Sequence, residues 1–213
     1  MIKRIFLVIL LSISSFFLYA SPETWIGLGF IASRNYIGSD AADYYNVYDL
    51  DGNLIVDGSD ISNIRRIGGR AEIVVFPLSE VRVGFLFSGT IAFPVGYSHK
   101  DGQNESYFSR NLDFIFDGEL GLAYYQLFGN FGFFIDAGMY YSYNRVAKEN
   151  EKNYKENTTY DIFHEWGVWG EAGILSTFRN GYFRLGFKYN HDLCYSQMNF
   201  NIGLFVSGGY IIR

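Results

Sequence analysis

The stretch 111–143 alternates between apolar and small or acidic residues, and this pattern constrains the fold more than any other part of the chain. Every second position from Leu112 is apolar, aromatic or glycine, and after a short break at 126–130 the alternation resumes. The carboxylates of this stretch lie at the positions between: Asp113, Asp117, Glu119 and Asp136. A period of two predicts strands, and the short break predicts an antiparallel hairpin. Such long strands have the length that crosses a bilayer when tilted.

The same alternation recurs along the chain and predicts an all-β fold of eight strands. Their approximate bounds are Thr24–Ser33, Arg65–Phe76, Val81–Val95, two strands within Asn111–Tyr143, Asp161–Thr177, Tyr182–Asp192 and Met198–Ile212. The connections after the first, third and fifth strands are long and polar, whereas those after the second, fourth and sixth are short. An open sheet in lipid would leave unpaired edge groups. We therefore predict a closed, antiparallel, up-and-down transmembrane β-barrel.

Composition agrees with a barrel and argues against other classes. Aromatic residues make up 20% of the chain, Gly occurs 24 times and Pro three times, which suits twisted strands. The mean hydropathy of +0.03 does not indicate a helical membrane protein. Cys194 is the single cysteine, so an internal disulfide is excluded. A formal net charge of −5 does not suggest a nucleic-acid partner.

The first twenty residues predict an export signal. Lys3 and Arg4 form a short positive region, Ile5–Leu18 is apolar, and Ala20 provides a small residue for cleavage. We predict a signal peptide at 1–20 and a barrel domain at 21–213. The apolar run is shorter than the roughly 20 residues that a spanning helix requires.

Together these features resemble the small eight-stranded outer-membrane β-barrels of the OmpX, OmpW and OmpA-transmembrane-domain type. The resemblance covers the whole mature chain through its pattern of strands and connections rather than through a motif. It implies a monomer in the bacterial outer membrane, surrounded by outer-membrane lipid and inserted by the outer-membrane assembly machinery. Such barrels typically finish on an aromatic residue, whereas this chain finishes on Ile212-Arg213.

Charged residues at inward positions form the candidate site. The predicted inward set is Arg70, Glu72, Arg82, Asp113, Asp117, Glu119, Asp136, Glu165, Glu171, Arg184 and Lys188. Distance from the turns places part of it near mid-height: Arg70, Glu72, Asp117, Glu119, Asp136, Glu171 and Lys188. An eight-stranded barrel has an interior just wide enough for side chains, which predicts a salt-bridge network. The alternative is a gated cation path or protonatable cluster around these acids: Asp117, Glu119, Asp136 and Glu171.

Other motifs carry weaker predictions. In the first long connection, Asp51-Gly52 predicts the turn of a small hairpin, with a calcium loop as the alternative. None of the histidines, His99, His164 and His191, has a serine two residues later, as a lipid-A deacylase of this shape has. We predict no catalytic residue, cofactor or metal. Aromatic residues near strand ends predict interfacial girdles: Trp25, Tyr97, Tyr124, Tyr141, Tyr143, Trp166, Tyr189 and Tyr210.

These features predict a structural or surface-interaction role, namely envelope integrity or adhesion to an extracellular ligand through the long loops. The alternative is a narrow channel or a transporter of small solutes, which needs a gap through the interior. A soluble barrel of the lipocalin type is a third possibility. Its outward face would be polar, whereas Phe, Leu, Ile and Val dominate the outward positions here.

Overall fold

A computed structural model describes residues 22–38, 47–48, 54–56, 58–77, 81–106, 114–148, 159–194 and 199–213. These residues form eleven strands and one 3₁₀ turn at Gly58–Asp60. The strands are β1 (Glu23–Tyr36), β2 (Val47–Tyr48), β3 (Leu54–Val56), β4 (Ile61–Phe76), β5 (Val83–His99), β6 (Asn104–Ser106), β7 (Phe114–Phe128), β8 (Phe131–Lys148), β9 (Thr159–Phe178), β10 (Gly181–Asp192) and β11 (Phe200–Ile212). The predicted signal peptide lies outside the described residues.

The eight long strands close into an antiparallel barrel, as the sequence predicts. Each pairs with the next in the order β1, β4, β5, β7, β8, β9, β10 and β11, and β11 returns to pair with β1. The short strands lie outside this ring: β2 pairs with β3, and β6 pairs with the end of β5. Among the described residues, no helix is long and apolar enough to cross a membrane.

Several strands extend further toward the long connections than the sequence predicts. β1 continues to Tyr36, β4 begins at Ile61 and β5 runs through Pro94 to His99. These extensions are polar on both faces, so their alternation is too weak to detect. The predicted end of this strand near Val95 is wrong, because β5 continues to His99. The ladder shifts register beside Pro94, since Arg66 pairs with Pro94 and Arg65 with Gly96, and an irregularity of this kind tolerates proline.

The outward faces form an apolar belt. Leu28 and Phe30 on β1 are 73% and 74% exposed, and Phe131 on β8 is 70% exposed. Exposed Ile, Leu, Val and Phe side chains recur on all eight barrel strands, at the positions that the sequence assigns to the outside. Such an area of apolar side chains facing outward suits lipid rather than water. This observation excludes the soluble lipocalin-type alternative.

The predicted aromatic girdles are correct for most of their members. Tyr124, Tyr141, Trp166, Tyr189 and Tyr210 are exposed on the outer face, and Tyr143 is half-buried. Trp25 and Tyr97 are buried instead, at 0% and 6% exposed. Proximity to a strand end predicts height in the membrane but not the face on which a side chain lies.

A candidate functional site in the barrel interior

An aromatic cluster fills the interior at the end where the short turns and both chain termini lie. We call this cluster the aromatic plug; its members are Trp25, Phe76, Tyr125, Phe134 and Tyr182. The Trp25 ring lies 5.7 Å from Phe76, 5.0 Å from Tyr125 and 4.8 Å from Tyr182, measured between ring centroids. Each plug residue is at most 1% exposed. The lumen is therefore packed like a protein core at this level.

Arg184 lies on the plug and joins it to the charges above. Its guanidinium is 4.0 Å from the Phe134 ring centroid, a cation–π contact. The same group forms ion pairs with Glu72 at 3.1 Å, Asp136 at 2.5 Å and Glu171 at 2.9 Å. The Arg184 side chain and its three partners are completely buried. One arginine therefore compensates carboxylates on three different strands.

Arg70 extends the network to the opposite wall. Its Nη1 and Nη2 donate to the two oxygens of Glu171 at 2.8 and 2.9 Å, which is a bidentate pair. Its Nε donates to Glu72 at 3.1 Å. Glu72 also accepts hydrogen bonds from the Tyr182 hydroxyl at 3.0 Å and the Ser207 hydroxyl at 2.8 Å. Glu72 thus accepts hydrogen bonds from four side chains: Arg70, Arg184, Tyr182 and Ser207.

Lys188 completes the network on the side of the long connections. Its ammonium pairs with Glu119, which also accepts a hydrogen bond from Ser88 at 2.5 Å. We call the whole set the central network: Arg70, Glu72, Glu119, Asp136, Glu171, Arg184 and Lys188. It contains four carboxylates and three cations, and hydroxyl donors supplement the cations. An assembly with this many partners has little freedom to rearrange.

Above the central network the interior is polar and incompletely packed. Two cavities border one another there and share four lining residues: Arg66, Asp117, Asn190 and Asn201. The space open to the centre of a water molecule is about 10 Å³ in the first cavity and about 20 Å³ in the second, enough for about one water each. We call this region the vestibule.

Several vestibule side chains have a buried oxygen without a hydrogen-bond partner. Asn190 is 4% exposed and lines both cavities, and its Oδ1 has no donor. Asn199 donates its amide nitrogen to Glu165 at 3.0 Å and to Asp192 at 3.4 Å, so its Oδ1 faces away without a donor. The Thr90 hydroxyl is also unpartnered. Water can satisfy such groups, so the vestibule is suited to hold water.

Most of the predicted interior residues lie in one of two places, the central network or the vestibule. Six of the seven mid-height residues lie in the central network, whereas Asp117 lies in the vestibule and forms no ion pair within the described part of the chain. Glu165 also lines the vestibule. Asp113 lies outside the described residues.

The mid-height estimate missed Arg184, the residue with the most ion pairs. Arg184 is only three residues from its turn, so counting along the strand placed it too low. Strand tilt and stagger bring residues at unequal distances from their turns to one height. The direction in which Arg184 points was predicted correctly, but its height depends on a stagger that no single strand encodes.

Arg82 lies at the rim rather than in the lumen. It occupies the turn before β5 with φ 49°, and its guanidinium forms an ion pair with Glu23 at 3.1 Å. Glu23 also pairs with Arg213 at 3.0 Å and accepts a hydrogen bond from the Trp25 indole at 2.6 Å. We call these residues the rim clasp. The sequence predicted that this strand begins at Val81, whereas β5 begins at Val83, so Arg82 lies in the turn, with its guanidinium 6.0 Å from the Trp25 ring centroid.

The histidines and the first long connection, which lie outside the lumen, have local contacts with neighbouring residues. His164 and His191 lie beside tyrosines: His164 Nδ1 is 2.6 Å from the Tyr141 hydroxyl, and His191 stacks on Tyr189. In the first long connection, β2 and β3 pair as the arms of the predicted hairpin, whereas the turn at Asp51-Gly52 lies outside the described residues. The described residues contain no group of three or more His, Cys, Asp or Glu placed to hold a metal.

Solved structures share this architecture. Ail, the attachment invasion locus protein of Yersinia pestis, matches with a TM-score of 0.50 and 11% identity over 89% of this chain and 98% of Ail. Neisserial surface protein A matches with a TM-score of 0.51 and 8% identity over 88% of this chain and 96% of that protein. Ail in complex with the heparin analogue sucrose octasulfate matches with a TM-score of 0.48 and 11% identity over 90% and 99%.

No protein-family profile matches the chain, and no curated protein matches it in sequence. The matching structures are bacterial outer-membrane β-barrels, which agrees with the localisation predicted from the sequence and with the apolar belt. The chain therefore has the fold of the small eight-stranded outer-membrane β-barrels that its sequence resembles.

Proposed function

We propose that the protein is a non-conducting outer-membrane scaffold that displays its long connections at the cell surface for binding. The observation that carries this proposal is the filled lower lumen, where the aromatic plug and the central network succeed one another. Arg184 at 0%, Trp25 at 0% and Glu72 at 2% exposed leave no room for solvent at these levels. In this proposal the central network stabilises the barrel rather than forming a cation path, and the protein has no catalytic role.

Conductance distinguishes the scaffold from the narrow channel. The mature protein, reconstituted in planar bilayers in symmetric potassium chloride, is expected to give no discrete current steps. Cation-selective steps that disappear in Asp117→Asn would contradict the proposal and support the channel, because Asp117 lines both vestibule cavities and forms no ion pair with the described residues. Asp101→Asn, an exposed carboxylate in a turn, is the matched control.

The first long connection is the binding segment in this proposal. Between residues 37 and 60 the sequence has no Lys or Arg, and its acids are Asp40, Asp43, Asp49, Asp51, Asp57 and Asp60. The connections between β5 and β7 and between β8 and β9 carry charges of both signs. A uniformly acidic surface attracts basic partners and repels polyanions. We therefore infer that the ligand is a cationic protein or peptide.

Loop deletion tests this binding role. The folded barrel is expected to bind immobilised polylysine in a salt-sensitive way and to leave heparin unbound. Removing Asp40–Asp60 should weaken the binding at least tenfold, and replacing the six aspartates by asparagine should do the same. Heat-modifiable gel mobility verifies that each variant is folded. Unchanged polylysine binding by both folded variants would contradict the role of this segment.

Cys194 offers a test of orientation. It is exposed in the connection between β10 and β11, at the end of the barrel that this proposal places outside the cell. A membrane-impermeant maleimide should label it on intact cells. Asn180→Cys in a Cys194→Ser background lies at the opposite end and should react only after permeabilisation. The reverse pattern would contradict the orientation.

The labelling should also depend on pH. Partial burial, together with the nearby carboxylate of Asp192, raises the pKa of the Cys194 thiol. The reactive thiolate is therefore scarce at neutral pH and increases as the pH rises toward the raised pKa. A labelling rate that does not increase between pH 7 and pH 9 would contradict this environment.

A further inference from the structure

Oxygen-bearing side chains form two rows around the vestibule. The first row consists of direct ladder partners on β7, β8 and β9: Asp117, Ser142 and Glu165. The second row consists of ladder partners on β10, β11 and β1: Asn190, Asn201 and Asn35. All six side chains line the second of the two cavities. The closed ladder therefore gathers polar groups from six of the eight barrel strands around one small space.

The second cavity carries a surplus of negative charge. Its described lining includes the carboxylates of Asp117, Glu165 and Asp192, and Arg66 is the one cationic side chain among these lining residues. Arg66 Nη2 lies 3.2 Å from the Asn35 amide oxygen, in the amide orientation that satisfies both ends of Asn35. All three acids are buried. When they are ionised, one guanidinium leaves two negative charges uncompensated, and buried charge without a counterion is costly.

The unpartnered groups of the vestibule are unbalanced in the same direction. Asn190 and Asn199, at 4% and 1% exposed, each line the second cavity with an Oδ1 that has no donor, and the Thr90 hydroxyl on the first cavity has no partner either. Among the described lining residues, Arg66 Nε is the one buried donor without a partner. Water donates and accepts in equal measure, whereas a metal cation satisfies oxygens alone. The surplus of oxygens therefore favours a cation as an occupant beside water.

Glu165 and Asp192 lie close enough together for one ion to contact both. The amide nitrogen of Asn199 donates to Glu165 Oε1 at 3.0 Å and to Asp192 Oδ2 at 3.4 Å, so one group already bridges the two carboxylates. A rotation of this amide by half a turn would exchange its nitrogen for its oxygen. The exchange is unfavourable beside two carboxylates unless a cation lies between them. Since no third acid of the described residues is placed at this point, amide oxygens and water would complete the coordination.

We propose that the vestibule binds one Ca²⁺ ion through Glu165, Asp192 and the amide oxygens of Asn190 and Asn199. The charge of the ion equals the surplus, and Asp117 compensates it from the other wall. The adjoining water-sized cavities provide space for the ion and for a water that it keeps. Ca²⁺ accepts irregular oxygen ligands, whereas Mg²⁺ demands near-octahedral geometry. The sequence predicted no metal, because these ligands lie far apart in the chain and form no motif. This inference does not depend on the proposed ligand of the first connection.

Calorimetric titration of the detergent-folded mature barrel with calcium chloride, after treatment with a chelator, tests the site. The wild-type protein is expected to bind one Ca²⁺, and the ion should raise the unfolding temperature read from heat-modifiable gel mobility. Glu165→Gln should weaken the binding about tenfold. Asn190→Leu removes one amide oxygen and should weaken it about threefold. Asp101→Asn removes an exposed carboxylate in a turn and should leave the binding unchanged.

Further measurements separate the alternatives. The variant with asparagine at the six aspartates of the first connection should still bind Ca²⁺, and loss of binding there would place the ion in that connection and overturn the proposal. Equal effects of Mg²⁺ or of added sodium chloride would indicate charge screening and also overturn it. The absence of binding would show that the vestibule holds water only. If Glu165→Gln does not fold, by gel mobility, Asp117→Asn should weaken the binding about threefold, because it lowers the charge around the ion.

Discussion

The lower and upper halves of the lumen both contain buried charged residues, but they differ in whether the carboxylates have ion-pair partners. In the lower half, Arg184 and Arg70 form ion pairs with all four carboxylates of the central network, although Asp136 Oδ1, Arg184 Nε and the Tyr125 hydroxyl have no hydrogen-bond partner. In the upper half, Asp117 has no ion pair among the described residues, and Asn190 and Asn199 leave oxygens without donors. Burial alone therefore does not distinguish the two halves of the lumen, because the side chains of both are largely buried.

The difference indicates that the two ends of the lumen have different roles. A lumen of this width must be filled at some level if it is not to conduct, and the lower half meets that requirement. The vestibule lies next to the long connections, where unsatisfied groups can exchange water. We therefore expect stability to be concentrated near the short turns, and substitutions at the end with the long connections to cost less free energy of unfolding.

The largest expected effect is the loss of Arg184. Arg184→Met would leave three buried carboxylates without their shared cation, and removing one member of a buried ion pair costs about 3–5 kcal/mol. Arg66→Met removes a buried arginine, 5% exposed, from the vestibule, where water can replace it, and should cost about 1 kcal/mol. The measurement is the urea midpoint of unfolding in lipid vesicles. Equal losses in the two variants would remove the distinction between the halves.

A smaller effect is expected from single polar groups. Ser207→Ala removes a hydroxyl that donates to Glu72 at 2.8 Å and should destabilise the barrel by about 1.5–3 kcal/mol, the range for hydrogen bonds to charged groups. Asn190→Leu replaces a side chain whose Oδ1 has no hydrogen-bond partner by one of similar size and should change stability by about 0.5 kcal/mol or less. Both are read from the same urea midpoint. A strongly destabilising Asn190→Leu would mean that this amide has a partner of its own in the native state.

The smallest effect is expected at the rim clasp. Arg213 pairs with Glu23 but its side chain is 58% exposed, so Arg213→Gln should cost about 0.5 kcal/mol or less. Arg82, at 24% exposed, contacts the same carboxylate, and Arg82→Gln should cost more than Arg213→Gln. The measurement is the temperature at which each variant unfolds in detergent, read from its heat-modifiable gel mobility. The opposite order would contradict the expectation that the more buried of the two ion pairs contributes more.

Sequence reasoning recovers the barrel because a membrane strand must be apolar on one face along its whole spanning length. That constraint acts on Leu28 or Phe30 regardless of the neighbouring strand. The identity of ion-pair partners depends instead on stagger between strands, which is a property of the closed ring. Arg184 and Asp117 show this most clearly, since both were predicted to point inward and neither was assigned its correct neighbours.

The outward arginines show a second limit. Arg34 was predicted to lie in the first long connection and Arg65 to begin the second strand, and neither was assigned to a face of the barrel. Only the ladder between β1 and β4 shows that they are partners on one face. A pattern of hydrophobicity therefore identifies the part of a barrel that lies in lipid and misses the polar extension above it.

The closed ladder has a consequence for how long the protein persists. β1 pairs with β11 at thirteen positions and with β4 on its other side, so none of the barrel strands has a free edge where fraying could begin. Unfolding must start by separating an intact seam, and this raises the activation barrier independently of the equilibrium free energy. The lifetime of the folded molecule in the membrane is then set by its unfolding rate. A barrel of only moderate thermodynamic stability could remain in place for as long as its cell does.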